Sequence, residues 1–280
     1  MHKHNLITPY ANVSETPNII IRHFPDTESY VQIPHIQSLK NKKVEIYHSL
    51  YPEQDKRIFE LLLILSLVSK QTKDIELFVP YLPYARQDRA SKIGEAVSAD
   101  ILCELLKLYG VKKLITYDCH FLYGEGNFSR CGLKIENLSA GKILYAEAKK
   151  YFANKKFSDK FLVVSPDESA SYFTENAQGH TLKKVRKESK DTGVATGIHA
   201  DVDTIEGEID VKDKNVCIMD DMVSTGGTVV HAIKHLKSLG AKKIVVATVH
   251  GIFAGNKIAE KILKAGCQKI FVTDSIPNEY

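Results

Sequence analysis

The chain has 280 residues, 44% of them hydrophobic and 26% charged, with a formal net charge of +4. That length supports one large domain or two ordinary ones, each with a sizeable core. The mild charge suits a small anion as well as a polyanion, basic and acidic residues are interspersed with no nucleic-acid recognition motif, and no apolar run of about 18 residues is present to span a membrane.

The first residues, "MHKHNLITPYANV", lack the apolar core of a secretory signal, so cytoplasmic residence is expected. A strand is predicted at Ile19–Arg22, followed by a Pro-Asp turn in "RHFPDTE". A second strand covers Val44–Tyr47. Apolar residues Ile58, Leu61, Leu62, Leu65 and Val68 then recur at helical spacing and predict a helix over Asp55–Ser69. A strand at Leu77–Pro80 leads into "PYARQDR", where Arg86, Gln87, Asp88 and Arg89 crowd a loop. Arginine suits polyphosphate because its planar, always-charged fork donates in pairs. A helix at Ser98–Tyr109 precedes a strand at Leu114–Tyr117, which ends near His120 in "TYDCHF".

A helix at Ala140–Phe152 runs into the lysine-rich stretch "KKYFANKKFSDK", which divides the chain into halves 1–150 and 151–280. The second half opens with a strand at Phe161–Val164 and the segment "VVSPDE", carrying Asp167. In "LKKVRKESK", Lys184 and Arg186 are two apart and share a face if the segment is a strand. The polar stretch "KESKDTGVATGIHADVDTIEGE" reads as a mobile loop followed by a short strand. Further strands are predicted at Val216–Met219, Ile244–Thr248 and Ile270–Thr273. Helices are predicted at Gly227–Leu239, with Val229, Ile233 and Leu236 facing the core, and at Lys257–Ala265. Strands alternating with helices of this length define an α/β protein with mostly parallel sheets, which bind ligands at the C-terminal ends of their strands.

Five scattered cysteines without a CxxC pair argue for reduced thiols, with Cys217 a core residue rather than a metal ligand. The most specific chemistry lies in "VCIMDDMVSTGGT", Val216 to Thr228. An apolar strand ends at Asp220 and Asp221. Ser224, Thr225, Gly226, Gly227 and Thr228 then make a tight turn that opens a helix. The glycines let backbone N–H groups approach a ligand, the hydroxyls add donors, and the helix start adds partial positive charge, so an anion such as phosphate suits the turn. The two carboxylates suit neutral hydroxyls. A sugar phosphate satisfies both polarities. No GKS or GKT follows the glycines, which excludes a Walker A loop.

"DDMVSTGGT" resembles the phosphoribosyl-diphosphate loop of type I phosphoribosyltransferases and of ribose-phosphate diphosphokinases. "PYLPYARQDRA", "GEAVSAD", "RHFPDTE", "YPEQDKRIFELLL", "VVSPDE" and "AKKIVVATVHGIFAG" resemble the diphosphokinase in order along nearly the whole chain, in its shorter, archaeal-like branch. The resemblance implies two phosphoribosyltransferase-like domains, each a mostly parallel sheet flanked by helices. It implies transfer of the β,γ-diphosphate of ATP to the anomeric hydroxyl of ribose 5-phosphate, with AMP leaving and Mg²⁺ as cofactor. By the same resemblance, Phe24, Asp26, Glu28, Arg86, Gln87, Asp88 and His120 bind ATP. Lys184 and Arg186 stabilise the transferring phosphate, His120 and Asp167 hold Mg²⁺, and Asp220, Asp221 and Ser224–Thr228 bind the sugar phosphate. The ATP site then sits at a subunit interface of a homo-oligomer. The chain departs from the family pattern at Thr27, where a glycine is usual, and at Glu168-Ser169-Ala170. These departures leave three other readings open: a larger acceptor such as ADP-ribose, a non-catalytic nucleotide-binding relative, and a phosphoribosyltransferase.

Overall fold

The computed structural model describes residues 4–154, 160–166, 168–175, 179–185, 204–206 and 209–277. By packing, the chain divides into two units: Met1–Ser139 with Asp274–Tyr280, and Ala140–Thr273. The first unit contains strands β1 (His4–Ile7), β2 (Ile20–His23), β3 (Ser29–Gln32), β4 (Lys43–Tyr47), β5 (Asp74–Phe78), β6 (Val111–Tyr117), β7 (Gly126–Arg130) and β8 (Leu133–Leu138), with helices α1 (Gln54–Val68) and α2 (Ser98–Leu108). Its main sheet has the order β1-β4-β5-β6-β8-β7, parallel except for the last pair. Leu61, Ile64, Leu65 and Val68 form the fully buried stripe of α1; Leu61, Leu65 and Val68 are as the sequence predicts, whereas Ile58 and Leu62 are half-buried and Ile64 takes a core place.

The second unit contains helices α3 (Gly141–Asn154), α4 (Tyr172–Glu175), α5 (Gly227–Ser238) and α6 (Ile258–Lys264). Its strands are β9 (Leu162–Ser165), β10 (His180–Thr181), β11 (Lys183–Val185), β12 (Thr204–Glu206), β13 (Asn215–Val223), β14 (Lys243–Gly251) and β15 (Ile270–Val272). A wholly parallel sheet runs β10-β9-β13-β14-β15, and β11 pairs antiparallel with β12. All nine residues of β13 are buried. A central strand covered on both faces needs such an unbroken run.

Several elements differ from the sequence reading. Helix α3 packs on β14 and β15 and belongs to the second unit, so the division falls at Ser139/Ala140, ahead of that helix. The strand expected at Ile19–Arg22 stays out of the main sheet and pairs with β3 as a separate hairpin, Ile20 opposite Gln32 and His23 opposite Ser29. The strand expected at Leu77–Pro80 starts earlier, at Asp74, because its register with β4 pairs Lys43 with Asp74 and Tyr47 with Phe78. All five cysteines are free thiols, and Cys217 is buried. Among the described residues no helix is long and apolar enough to cross a membrane.

Candidate active site

In the second unit, β13 carries the acid pair. The strand does not end at the pair, as the sequence reading expects, but continues through it to Val223, because Asp220 pairs with Thr248 and Met222 with His250 of the neighbouring strand. Asp221 is only 2% exposed and Asp220 6%. Each carboxylate is oriented by a neighbouring amide: the Asp221 N–H donates to Asp220 Oδ1 at 3.0 Å, and the Met222 N–H to Asp221 Oδ1 at 2.8 Å. The turn that follows is pinned from the next segment. The Phe253 N–H donates to the Val223 carbonyl at 3.0 Å and the Ala254 N–H to the Ser224 carbonyl at 3.1 Å. Ser224 is half-buried and Thr225 exposed.

Gly226 has φ +73 as the N-cap of α5, and a Cβ there would lie 3.0 Å from Ile258 Cγ2 on α6. The backbone conformation favours glycine, and a Cβ would press on the Ile258 side chain. Gly226 brings no side-chain oxygen to the cap, and the first turn, with Gly227 and Thr228, contains no acidic residue. The helix start therefore keeps its partial positive charge for an outside anion, one turn from two buried carboxylates.

The first unit assembles its candidate residues from three separate segments. The β2–β3 hairpin exposes Phe24, Asp26 and Glu28. The Phe24 N–H donates to the Glu28 carbonyl, the Thr27 N–H to the Phe24 carbonyl (both 2.9 Å), and the Glu28 N–H to Asp26 Oδ1 at 3.2 Å. Thr27 has φ +74, a left-handed conformation at the position where the family pattern has glycine. The hairpin is tied to α1 through the fully buried Glu60. That carboxylate accepts from His23 Nε2 at 2.8 Å, from Ser29 Oγ at 3.3 Å and from Arg57 Nη1 at 3.0 Å. The Arg57 guanidinium lies 3.3 Å from the centre of the Tyr10 ring. Its carbonyl accepts from Nε2 of the fully buried His48 at 3.0 Å, and burial lowers the pKa of His48 to about 4, so that ring is neutral.

The second segment follows β5. Tyr84 has φ +63, and its hydroxyl, hydrogen-bonded to Asp55 of α1, is held protonated above its usual range by that bond. Arg86 is exposed, while Gln87 and Asp88 are half-buried. The Gln87 carbonyl accepts from the Ala99 N–H of α2 at 3.2 Å, and Gln87 Nε2 donates to the Arg89 carbonyl at 3.2 Å. Further on, Glu95 accepts from the Ser91 and Lys92 amides at 2.7 and 3.1 Å, which holds its carboxyl below the usual range. The third segment follows β6 and carries the half-buried His120. Fully buried Asn137 of β8 fixes this loop at two points, accepting from the Cys119 N–H at 2.9 Å and donating to the Gly124 carbonyl at 2.7 Å.

Arg130 of β7 joins the second and third segments. Nε donates to Asp100 Oδ1 at 2.6 Å, Nη2 donates to the Asp88 carbonyl at 2.5 Å, and the guanidinium lies 4.4 Å from the centre of the Phe121 ring. Lys184 lies on β11 opposite Ile205, as its strand reading expects. Its side chain, Arg186 and Asp167 fall outside the described residues.

Sequence reasoning did not single out Glu60, Asn137 or Arg130. For Glu60 a signal exists: it is a carboxylate on the core-facing stripe of an apolar helix, where charge is rare unless paired. Asn137 and Arg130 sit in a hairpin too polar to be read as strands.

The second unit, with its parallel main sheet and an acid pair in the central strand ahead of a glycine turn, is of the phosphoribosyltransferase type, as the family match shows. Residues 136–276 match the phosphoribosyl transferase domain, and residues 5–110 match the N-terminal domain of ribose phosphate pyrophosphokinase. The ribose-phosphate pyrophosphokinase of Sulfurisphaera tokodaii is 33% identical, over 96% of this chain and 89% of that one. That of Pyrococcus abyssi is 32% identical, over 94% and 85%. A crystal structure of phosphoribosylpyrophosphate synthetase from Mycobacterium smegmatis shares the fold, with a TM-score of 0.77 at 21% identity over all of this chain and 91% of that one. The chain belongs to the ribose-phosphate pyrophosphokinase family.

Proposed function

We propose that the protein transfers the β,γ-diphosphate of ATP to the anomeric hydroxyl of ribose 5-phosphate. The hydroxyl oxygen attacks the β-phosphorus and loses its proton to solvent, the bond from that phosphorus to the α,β-bridging oxygen breaks, and AMP leaves with that oxygen. The observation that carries this reading is the pair of buried carboxylates in β13, separated by four residues from the Gly226–Gly227 turn at the start of α5.

In this reading the turn from Ser224 to Thr228 takes the 5-phosphate, and Asp220 and Asp221 accept from the ribose hydroxyls. Arg86 and Gln87 contact the polyphosphate, with Asp88 beside them. Phe24 stacks on adenine while Asp26 and Glu28 accept from its amino group, reaching across from a second copy of the chain in a homo-oligomer. Lys184 and Arg186 neutralise charge on the transferring group, for which positioning and cations matter more than covalent chemistry. Among the described residues no three His, Cys, Asp or Glu side chains converge as a ready-made metal cage. Mg²⁺ keeps waters and is held by substrate phosphates with one or two protein ligands. His120 and Asp167 are those ligands in this reading, and the ion's chemistry is to neutralise the phosphate oxygens. A cytoplasmic setting supplies ATP and keeps the five thiols reduced.

The test is product analysis with the full chain, ATP, Mg²⁺ and ribose 5-phosphate. AMP and phosphoribosyl diphosphate are expected in equal amounts. Asp221→Ala is expected to raise the KM for ribose 5-phosphate ~10-fold or more, the loss of a charged hydrogen-bond acceptor. Formation of ADP in place of AMP, or an unchanged KM in Asp221→Ala, overturns the assignment.

A further inference from the structure

We infer that Arg130 is a positioning residue that makes the Tyr84–Ser91 loop and the Cys119–Gly124 loop behave as one nucleotide-holding element. The inference rests on the reading of Arg86, Gln87 and His120 as ATP contacts. Arg130 stands at the end of β7, outside both loops, and reaches each by a different edge of one planar group. Its Nε–Nη2 edge bridges Asp100 at 2.6 Å and the Asp88 carbonyl at 2.5 Å. Its face covers buried Phe121, the residue after His120, at 4.4 Å.

The acceptor at Asp88 is a backbone carbonyl, so the bond orients the peptide plane that follows Arg86 and Gln87. Asp100 lies in the first turn of α2, and that turn is tied to the same loop by the Ala99 N–H bond to the Gln87 carbonyl at 3.2 Å. The fork therefore holds the loop both directly and through the helix start. Phe121 is covered by the same guanidinium plane, so a rotation that breaks the fork also uncovers the ring beside His120. Lysine keeps the charge but can supply neither the parallel donors nor the flat face. Loops that one group orders together lose less freedom when a ligand engages them.

The full chain is compared as wild type, Arg130→Lys and Arg86→Ala. Amide exchange is followed without nucleotide over residues 84–91 and 119–124, alongside the KM for ATP and for ribose 5-phosphate. In Arg130→Lys, exchange is expected to quicken ~10-fold in both segments, as local opening becomes easier. The KM for ATP is expected to rise ~10-fold and that for ribose 5-phosphate to stay within ~2-fold. A merely structural arginine moves both constants or neither. Faster exchange in one segment alone, or in neither, overturns the coupling. So does an unchanged KM for ATP in Arg130→Lys when Arg86→Ala raises it. If Arg86→Ala itself leaves the KM for ATP unchanged, the nucleotide reading fails, and the exchange result still decides whether the two loops are coupled. Should Arg130→Lys fail to fold, Asp100→Asn weakens the same fork and is read over the same two segments.

Discussion

The two units build their candidate sites in opposite ways. In the second unit the acid pair and the glycine turn are nine consecutive residues, Asp220 to Thr228, shaped by the last part of a strand, two backbone hydrogen bonds and a helix start. In the first unit the candidates come from segments near 24, 86 and 120, each fixed by a side chain from elsewhere: Glu60 ties the first to α1, Asn137 ties the third to β8, and Arg130 joins the second and third. A contiguous backbone site is exposed to changes at glycine. A dispersed site is exposed to truncation of side chains that never touch the ligand.

The sharpest way to break this contrast is Glu60→Ala. It leaves the buried Arg57 guanidinium with only the exposed Glu53 carboxylate, at 3.3 Å, and unties His23 and Ser29 from α1. A loss of about 3–5 kcal/mol is expected on removing one partner of a buried pair. Urea unfolding measures it, and a loss within the range of an exposed pair would show that the network does not hold the hairpin. Next in size is Gly226→Ala, at φ +73 with Ile258 in the way. A cost of about 1–3 kcal/mol is expected from the backbone strain, together with a raised KM for ribose 5-phosphate and an unchanged one for ATP. Equal effects on both substrates would erase the distinction between the units. The smallest change has the opposite sign. Thr27→Gly relieves a β-branched residue at φ +74 and is expected to stabilise the chain by up to ~1 kcal/mol, less the entropy that glycine gains in the unfolded state. Thermal melting reads this directly, and a clear loss of stability would mean that the Thr27 side chain makes a contact worth more than the strain.

The same contrast explains what could be read from the sequence. Strand β13 and the start of α5 were legible because an apolar run, two acids and two glycines fall within one short stretch, although the strand runs on through the acids to Val223. Helix α1 was legible from its spacing, and Cys217 as core from its neighbours. Strands β7 and β8 were not, because Asn127, Ser129, Lys134 and Glu136 interrupt the apolar signal, and buried Asn137 occupies a place where alternation calls for an aliphatic side chain. The tie from Arg130 to Asp88 spans 42 positions and ends on a backbone oxygen, so no residue pattern announces it. Helix α3 was placed by a lysine-rich stretch that follows it, while its apolar side chains commit it to β14 and β15.

The sulfur atoms offer a separate handle on each unit. Cys103 and Cys119 lie buried in the first, Cys217 and Cys267 in the second, and Cys131 is exposed. Burial pushes the Cys103 thiol up to about 12 and the Cys267 thiol to about 11, so neither ionises at neutral pH while its core is closed. An alkylating reagent captures Cys131 at once and then waits for the others. The order in which those four react becomes a clock for which half of the molecule breathes first.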